Sequence, residues 1–165
     1  MADNLAYNNA TSSTASTLYI ISANYGSMVS NNVVRNNGAN SSGGGYLFAI
    51  HANSGSILIN NMSSSNGESS GNNVYGIVAG NGCNVTGNSS YYNGQNSSLD
   101  VWGIEAGNGS TLTNNSASYN GLGASGTATG IKPDGNCLVD QNTAYNNAVN
   151  MTACGTCTLG NNYAP

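Results

Sequence analysis

Four ionisable side chains of this chain could take part in acid–base chemistry: Lys132, Asp134, Glu105 and His51. Lys132 and Asp134 stand two positions apart, so together they form a minimal acid/base pair, in which one group removes a proton and the other supplies one. Binding of Ca²⁺ would need more oxygen ligands than this neighbourhood provides. We therefore expect no catalytic site and no metal site, and we keep these four residues only as weak candidates for catalysis.

The four cysteines offer a second kind of chemistry. Cys154 and Cys157 form the sequence CGTC, a spacing that also occurs in redox-active and zinc-binding proteins. The chain has no second pair of this kind, and no helix is expected after the motif, so a stabilising disulfide is the expected role. The two candidate pairings are Cys137 with Cys157 and Cys154 with Cys157, and free thiols are the alternative.

Sequences of the form Asn-x-Ser/Thr, which accept N-linked glycans in secreted proteins, recur along the chain. In a chain so rich in Asn, Ser and Thr, several of them arise by chance. Asn40 and Asn96 are the best acceptors, because they fall in segments that we expect to be surface loops. The run TSSTAST (11–17) is equally suited to O-linked sugars. Covalent glycans are therefore one predicted modification.

The composition indicates a single ordered domain over residues 1–165 with an unusual surface. Charged residues make up only 5% of the chain, against roughly 25% in ordinary globular chains, and 31 asparagines and 23 glycines take their place. Arg35 and Lys132 are the only basic residues, too few to bind nucleic acid. No apolar run approaches the roughly 20 residues that cross a bilayer. The low charge favours an extracellular or a cell- or virion-surface location, although no signal peptide is visible.

An internal repeat must position all of these residues. Gly55, Gly82 and Gly109 mark a register of 27 residues, in which YGIVAGNGCNVTGNSSYYNG (75–94) aligns with WGIEAGNGSTLTNNSASYNG (102–121). Further copies begin at residues 19, 48 and 129, and a shortened last copy begins at residue 149. The segments between successive copies, such as ESSGNNV and LGASGTA, vary. We expect these segments to form surface loops along one edge.

Two columns of the repeat contain only asparagine. The first column consists of Asn4, Asn32, Asn61, Asn88, Asn115, Asn142 and Asn162. The second column consists of Asn9, Asn37, Asn66, Asn93, Asn120 and Asn147. Apolar residues fill two more columns, namely Ile21, Ile50, Ile77, Ile104, Ile131 and Met151, and Val29, Leu58, Val85, Leu112, Val139 and Leu159. Such agreement within one chain indicates that the copies stack on one another.

The alternation within each copy predicts short strands, because Tyr75, Ile77 and Ala79 recur with the period of two that strands require. Gly and Asn supply the left-handed backbone conformations that tight corners need. Coils of three short strands, each rising about 4.8 Å, stack as a parallel β-helix. Repeated asparagines at one corner then form an amide ladder. We predict an all-β solenoid of about six coils with Asn ladders at its corners.

At this point the chain resembles the right-handed parallel β-helix superfamily with the pectin-lyase-like fold. The residues that carry the resemblance are the pairs Gly76-Ile77, Gly103-Ile104 and Gly130-Ile131, with an asparagine corner about eleven positions after each. The resemblance covers nearly all of the chain and implies a right-handed coil. Its implications for function are broad, because the superfamily includes polysaccharide lyases and hydrolases, phage tailspikes, adhesins and structural fibres.

The register places the weak catalytic candidates on the outside of the solenoid. Glu105 and Lys132 fall in one outward column on adjacent coils, where an exposed ion pair worth roughly 0.2–1 kcal/mol explains them. His51 precedes Glu105 by two coils in that column, roughly 10 Å away. Polysaccharide-cleaving members of the superfamily typically use clustered carboxylates with an Arg or Lys base. The resemblance therefore leaves a carbohydrate-binding or polysaccharide-cleaving module open as the alternative function.

Both ends of the sequence lie at the same phase of the repeat, since residues 163–165 would overlay residues 5–7 in a stacked copy. Solenoids normally cap their terminal coils, and neither end carries a helix or a charged cap. An end-to-end contact of this kind propagates into a fibre. We therefore expect a structural, non-enzymatic subunit that stacks on copies of itself into an extracellular filament or surface appendage. A fragment of a larger surface adhesin is a further alternative.

Overall fold

The computed structural model describes residues 1–165 and consists of eighteen short β-strands without a helix. The strands are β1 (Leu5–Tyr7), β2 (Thr17–Ala23), β3 (Met28–Ser30), β4 (Val33–Arg35), β5 (Tyr46–Ala52), β6 (Ile57–Ile59), β7 (Met62–Ser64), β8 (Asn73–Ala79), β9 (Asn84–Thr86), β10 (Ser89–Tyr91), β11 (Val101–Ala106), β12 (Thr111–Thr113), β13 (Ser116–Ser118), β14 (Ala128–Pro133), β15 (Leu138–Asp140), β16 (Thr143–Tyr145), β17 (Val149–Met151) and β18 (Thr158–Leu159).

The strands form three parallel sheets that run the length of the molecule. The first sheet contains β2, β5, β8, β11, β14 and β17, the second contains β3, β6, β9, β12, β15 and β18, and the third contains β1, β4, β7, β10, β13 and β16. Each inner strand pairs with its equivalents in the coils before and after it, and the strands at the two ends of each sheet pair on one side only. Five turns therefore separate the first and last strands of each sheet, and the predicted parallel β-solenoid is confirmed.

The pairing register reproduces the columns read from the sequence. Ile50 pairs with Ile77, and Ile104 pairs with Ile131, so the isoleucines stack inside the solenoid. These four side chains are completely buried, as is Leu112 in the second apolar column. Burial of each such side chain stabilises the fold by roughly 1.5–3 kcal/mol. A continuous apolar core is the reason why these short strands are stable, since none of them could stand alone.

Both asparagine columns form the predicted ladders. In the first ladder, the backbone N–H and the Nδ2 of Asn61 each donate to the Oδ1 of Asn88 at 2.9 Å. The second ladder has the same arrangement, in which the Nδ2 of Asn66 donates to the Oδ1 of Asn93 at 2.9 Å. From Asn32 and Asn37 onward, each asparagine also donates to a backbone carbonyl of the preceding coil, for example Asn88 Nδ2 to the oxygen of Leu58 at 2.8 Å.

The residue before each asparagine of the first ladder explains why the chain can turn there. Asn31, Asn60, Gly87, Asn114 and Gln141 all adopt a positive φ between 53° and 66°. Gly and Asn accept this left-handed conformation most readily. The corner is therefore specified twice, by a residue that tolerates the backbone angle and by the ladder amide that follows it.

The connections from the third sheet to the first, 36–45, 65–72, 92–100 and 119–127, contain most of each variable segment between copies. They are more ordered than surface loops need to be. They stack on one another through backbone hydrogen bonds, such as that from Ser98 N–H to the oxygen of Ser70 at 2.9 Å. Beneath them lies a second, smaller core formed by Leu47, Val74 and Val101. The segments therefore contribute to the packing of the solenoid as well as to its surface.

Candidate functional site

The weak catalytic candidates come together only in part. Lys132 Nζ lies 2.5 Å from Glu105 Oε1 and 4.0 Å from Asp134 Oδ1, as expected for neighbours on β11 and β14. The Lys132 side chain is 34% exposed. An amine that is held by a carboxylate and reached by water has the arrangement of a surface ion pair. The predicted Glu105–Lys132 pair is therefore present.

An aromatic ladder lies directly below this ion pair on the first sheet. The rings of Tyr19, Phe48, Tyr75 and Trp102 stack in sequence, with centroids separated by 4.9, 4.8 and 4.4 Å and planes inclined by 13°, 26° and 15°. Lys132 Nζ lies 5.6 Å from the centroid of the Trp102 ring and ends the stack with a cation. Sequence reasoning missed this ladder, although its four members occupy one column of the repeat.

The geometry of the aromatic ladder limits the ligands that it can bind. Sugars bind aromatic side chains through an exposed ring face, but each inner ring of this stack already has a neighbouring ring on both faces. Only ring edges therefore point to solvent along most of the ladder. Burial, and then the nearby Glu105 carboxylate, raise the pKa of Tyr75, so this phenol stays protonated. The ladder has the arrangement of a packing element, similar to the stacked aromatics of other cross-β structures.

His51 lies beside the lower part of the aromatic ladder. Its Nδ1 is 3.4 Å from Ser22 Oγ, and its ring meets that of Tyr19 edge to face at 5.3 Å. Val78 separates it from Glu105 in the same column. Burial lowers the pKa of His51. The structure therefore does not bring His51 together with Lys132, Glu105 and Asp134.

The cysteines adopt one of the two predicted pairings. Cys154 and Cys157 form a disulfide, whereas Cys83 and Cys137 are buried free thiols. The pairing of Cys137 with Cys157 is therefore absent, because the sulfur of Cys157 is already bonded to Cys154. Burial raises the pKa of Cys83, which keeps that thiol protonated and unreactive.

The structure has two surface concavities. The larger one has a volume of about 520 Å³ and is lined by small and apolar residues, including Tyr119, Leu122 and Ala128. It lies above segment 119–127, because the short connection 146–148 does not cover that segment. The second has a volume of about 370 Å³ and lies between Lys132, Asp134 and the last coil. The second concavity therefore brings the candidate acid/base pair Lys132 and Asp134 next to Cys154 of the disulfide.

The predicted glycosylation sites differ from the ladder asparagines in their exposure. Asn40 and Asn96 are both exposed at positive φ in the stacked segments. Asn61 and Asn88, which also occur in Asn-x-Ser/Thr sequences, are buried in the first ladder. The side-chain nitrogens of Asn61 and Asn88 donate to the ladder and to backbone carbonyls, so of these four residues Asn40 and Asn96 present an amide to solvent.

Two further findings bear on the kind of site that is present. No three side chains among His, Cys, Asp and Glu lie close enough together to hold a metal ion. The structure has no helix long and apolar enough to cross a membrane.

The two end surfaces carry opposite halves of an unfinished first ladder. At the lower end, the Oδ1 of exposed Asn4 accepts no hydrogen bond, although the same residue donates through Nδ2 to Asn32 at 2.9 Å. At the upper end, the Oδ1 of Asn162 accepts from Asn142, but no acceptor lies on the backbone N–H of Asn162. Sequence reasoning predicted the column but not this direction of the hydrogen bonds.

The chain is classified by its fold. The three stacked parallel sheets define the chain as a parallel β-solenoid protein. No protein family, characterised protein or solved structure matches the chain.

Proposed function

We propose that the chain is a structural subunit that stacks head to tail on copies of itself into an extracellular filament or surface appendage. The observation that carries the proposal is the direction of the first ladder, in which Asn4 has a free acceptor at the lower end and Asn142 donates at the upper end to Asn162, the residue whose place Asn4 would take. A contact between unlike ends repeats without closing, so it produces a fibre. We also propose that the chain is a non-enzymatic member of the superfamily with the pectin-lyase-like fold, which its sequence resembles.

Apolar side chains at both ends support stacking. Leu5 and Tyr7 are 64% and 47% exposed at the lower end, and Leu159 and Tyr163 are 55% and 62% exposed at the upper end. Only the equivalents of Leu159 are buried in the inner coils, whereas the columns of Leu5 and Tyr7 face outward along the solenoid, with Met62 37% and Tyr91 41% exposed. Exposed strands with free backbone groups also tend to pair with further strands. Stacking would pair the free strand edges at both ends.

The two end segments correspond to the same part of a coil, which defines how copies would join. Leu5 pairs with Val33 at the bottom of the third sheet, and Tyr163 pairs with Thr143 at its top. A copy whose β2 stacks directly on β17 would bring its residues 1–7 to the place of residues 158–165. We therefore propose that residues 1–7 of the incoming copy replace residues 158–165, with Asn4 accepting from Asn142.

The backbone register supports this replacement. Leu5, Ala6 and Tyr7 fall in the same columns as Tyr163, Ala164 and Pro165. The inward position therefore holds alanine in both segments, so either one fits over the core. The second sheet is extended in the same way at the lower end, where Ala2 pairs with Ser30 of β3.

Electron microscopy and sedimentation of the purified chain test the proposal. We expect rods with an axial repeat of roughly 29 Å, the height of six coils at about 4.8 Å each. A chain that lacks residues 163–165 should assemble at lower concentration, since its third sheet is vacant above β16. A strictly monomeric sample of both forms, up to concentrations that precipitate the protein, would refute the proposal.

A pair of neighbouring substitutions supplies the control. Ala6→Asp places a carboxylate in the inward column of the joining segment, where it would lose its water. Tyr7→Asp adds the same charge one residue later, on the outward face of β1. We expect the first change to abolish assembly and the second to weaken it only slightly. Equal effects would show that overall charge, and not the inward column, governs association.

A further inference from the structure

We propose that the last coil contains a disulfide that isomerises, in which the buried thiol of Cys137 exchanges with the Cys154–Cys157 bond to form a Cys137–Cys157 bond. Three of the four cysteines lie at this end of the solenoid, and two of them share a column on consecutive coils. This proposal concerns the covalent state of one subunit and does not depend on filament formation.

A third ladder of side chains places Cys137 and Cys157 next to each other. In this column, the backbone N–H groups of Ser27, Ser56 and Cys83 donate to the side chains of their equivalents in the next coil, as from Ser56 to Cys83 Sγ at 3.3 Å. Cys137 N–H lies 3.3 Å from Cys157 Sγ in the same way. The Cys157 sulfur is therefore next to the Cys137 backbone, while the Cys137 thiol donates to the carbonyl of Gly107 in the preceding coil at 3.4 Å, so exchange requires the Cys137 side chain to rotate toward Cys157.

The backbone separation of these two residues suits a disulfide. Leu138 pairs with Thr158 and Val139 with Leu159, so the preceding residues, Cys137 and Cys157, lie about one strand spacing, roughly 4.8 Å, apart. Disulfides join Cα atoms that are about 4.4–6.8 Å apart. Cys83 is two coils away from Cys137, with Ser110 between them, and takes no part.

The exchange is an internal substitution at sulfur. The Cys137 thiol loses its proton, and its thiolate attacks Cys157 Sγ; the Cys137–Cys157 bond forms while the Cys154–Cys157 bond breaks. Cys154 leaves as a thiolate and takes up a proton. One disulfide and one thiol are present before and after, so no oxidant or reductant is consumed. Cys137 is only 1% exposed, which favours attack from within over attack by thiols in solution.

The two isomers differ in how they hold the last coil. The Cys154–Cys157 bond closes a turn between residues three positions apart. The Cys137–Cys157 bond would span 20 positions and join the last coil covalently to the one before it. A longer closed loop restricts the unfolded chain more strongly. Exchange would therefore convert a coil that can fray from the end into one that is fixed to the body of the solenoid.

Peptide mapping distinguishes the isomers, because Asp134 and Asp140 separate the cysteines. Cleavage before aspartate gives peptide 134–139 with Cys137 and peptide 140–165 with Cys154 and Cys157. The purified chain is incubated near the ordinary thiol pKa of about 8.5, quenched in acid, alkylated and digested. We expect a growing fraction of the two peptides to be cross-linked, with the alkyl group on Cys154, and loss of this species in Cys137→Ser.

A second variant tests the geometry separately. In Cys154→Ser treated with oxidised glutathione, Cys157 first forms a mixed disulfide, and Cys137 should displace glutathione to give the cross-link. The amides of Thr158 and Tyr163 should then exchange with deuterium more slowly than in the reduced variant. The proposal is overturned if the unmutated chain never shows the cross-linked peptides, or if glutathione stays on Cys157 in the variant.

Discussion

The first asparagine ladder should dominate the stability of the solenoid, and Asn88→Ala is the most direct perturbation of it. Asn88 lies in the middle of the ladder and is 1% exposed. Its Oδ1 accepts from both the N–H and the Nδ2 of Asn61 at 2.9 Å. Its Nδ2 donates to the carbonyl of Leu58 at 2.8 Å and to that of Thr86 at 3.1 Å. Alanine removes all of these partners at once.

The expected loss follows from the groups that are left without partners. A buried donor or acceptor without a hydrogen bond costs about 1–3 kcal/mol. Asn88→Ala leaves two donors of Asn61 and the carbonyl of Leu58 in this state, while water that enters the vacated volume recovers part of the loss. We therefore expect the free energy of unfolding to fall by about 3–5 kcal/mol. This is a large part of the roughly 5–15 kcal/mol that stabilises a typical domain.

Urea unfolding, followed by circular dichroism, measures the effect against two matched controls. Asn84→Ala removes an exposed asparagine from the same copy, whose Oδ1 accepts only from Thr86 Oγ1 at 2.7 Å. We expect a loss of less than about 1 kcal/mol for this surface change. Asn4→Ala, at the exposed end of the same ladder, should lie between the two, because its Oδ1 has no partner to lose.

The ranking of the three variants decides the outcome. If Asn88→Ala unfolds within about 1 kcal/mol of Asn84→Ala, the ladder contributes no more than surface asparagines, and its importance is refuted. If the slope of the unfolding curve changes strongly, the coils no longer unfold together, and single coils must be followed by hydrogen exchange. Failure of Asn88→Ala to fold, while Asn84→Ala folds normally, agrees with the expected ranking.

Three further perturbations address other parts of the solenoid. Burial lowers the pKa of His51 in the folded chain, so the unfolded chain binds the proton more tightly. The melting temperature should therefore fall as the pH drops below about 6.5. His51→Gln should reduce that fall in a thermal scan. Gly103→Ala should cost about 1–3 kcal/mol, because the added carbon would meet the carbonyl of the next coil, whereas Gly155→Ala enters open space and should be neutral in urea unfolding. Lys132→Gln should cost less than about 1 kcal/mol, and less still at high salt.

The fold and the ladders could be predicted because repetition shows which residues lie next to each other across strands. A column such as Ile50, Ile77 and Ile104 needs no comparison with other proteins, since each copy within the chain tests the others. Asparagine at a corner is informative for a physical reason: its side chain can accept from one coil while donating to another. The repeat register also predicts Glu105 beside Lys132 on adjacent coils, and the structure confirms this pairing.

The direction of the ladders and the choice of disulfide could not be read from the sequence. Both depend on where a side chain points within a correct register. Cys157 lies 5.3 Å from Cys154 between Cα atoms, and about one strand spacing from Cys137. Spacing alone therefore allowed either bond.

The stacked segments were underestimated for a different reason. Their lengths and compositions vary, and this variation is typical of surface loops. The signal that could have corrected this is the column Leu47, Val74 and Val101, which continues through β5, β8 and β11. An apolar column that begins inside a variable segment indicates a second core beneath it. The buried Ser70 and Ser97 of these segments then have a structural explanation.

The repeat places its stabilising side-chain contacts along the sides of the solenoid and its open strand edges at the two ends. Along the sides, Phe48 and Tyr75 cover each other's ring faces, and Lys132 is paired with Glu105. At the ends, the same repeated contacts are interrupted, so Asn4 has a free acceptor at the lower end that can take the place of Asn162 as the partner of Asn142 at the upper end. Because the free strand edges lie at the two ends, such a solenoid should associate along its axis, which is the arrangement that the proposed filament requires.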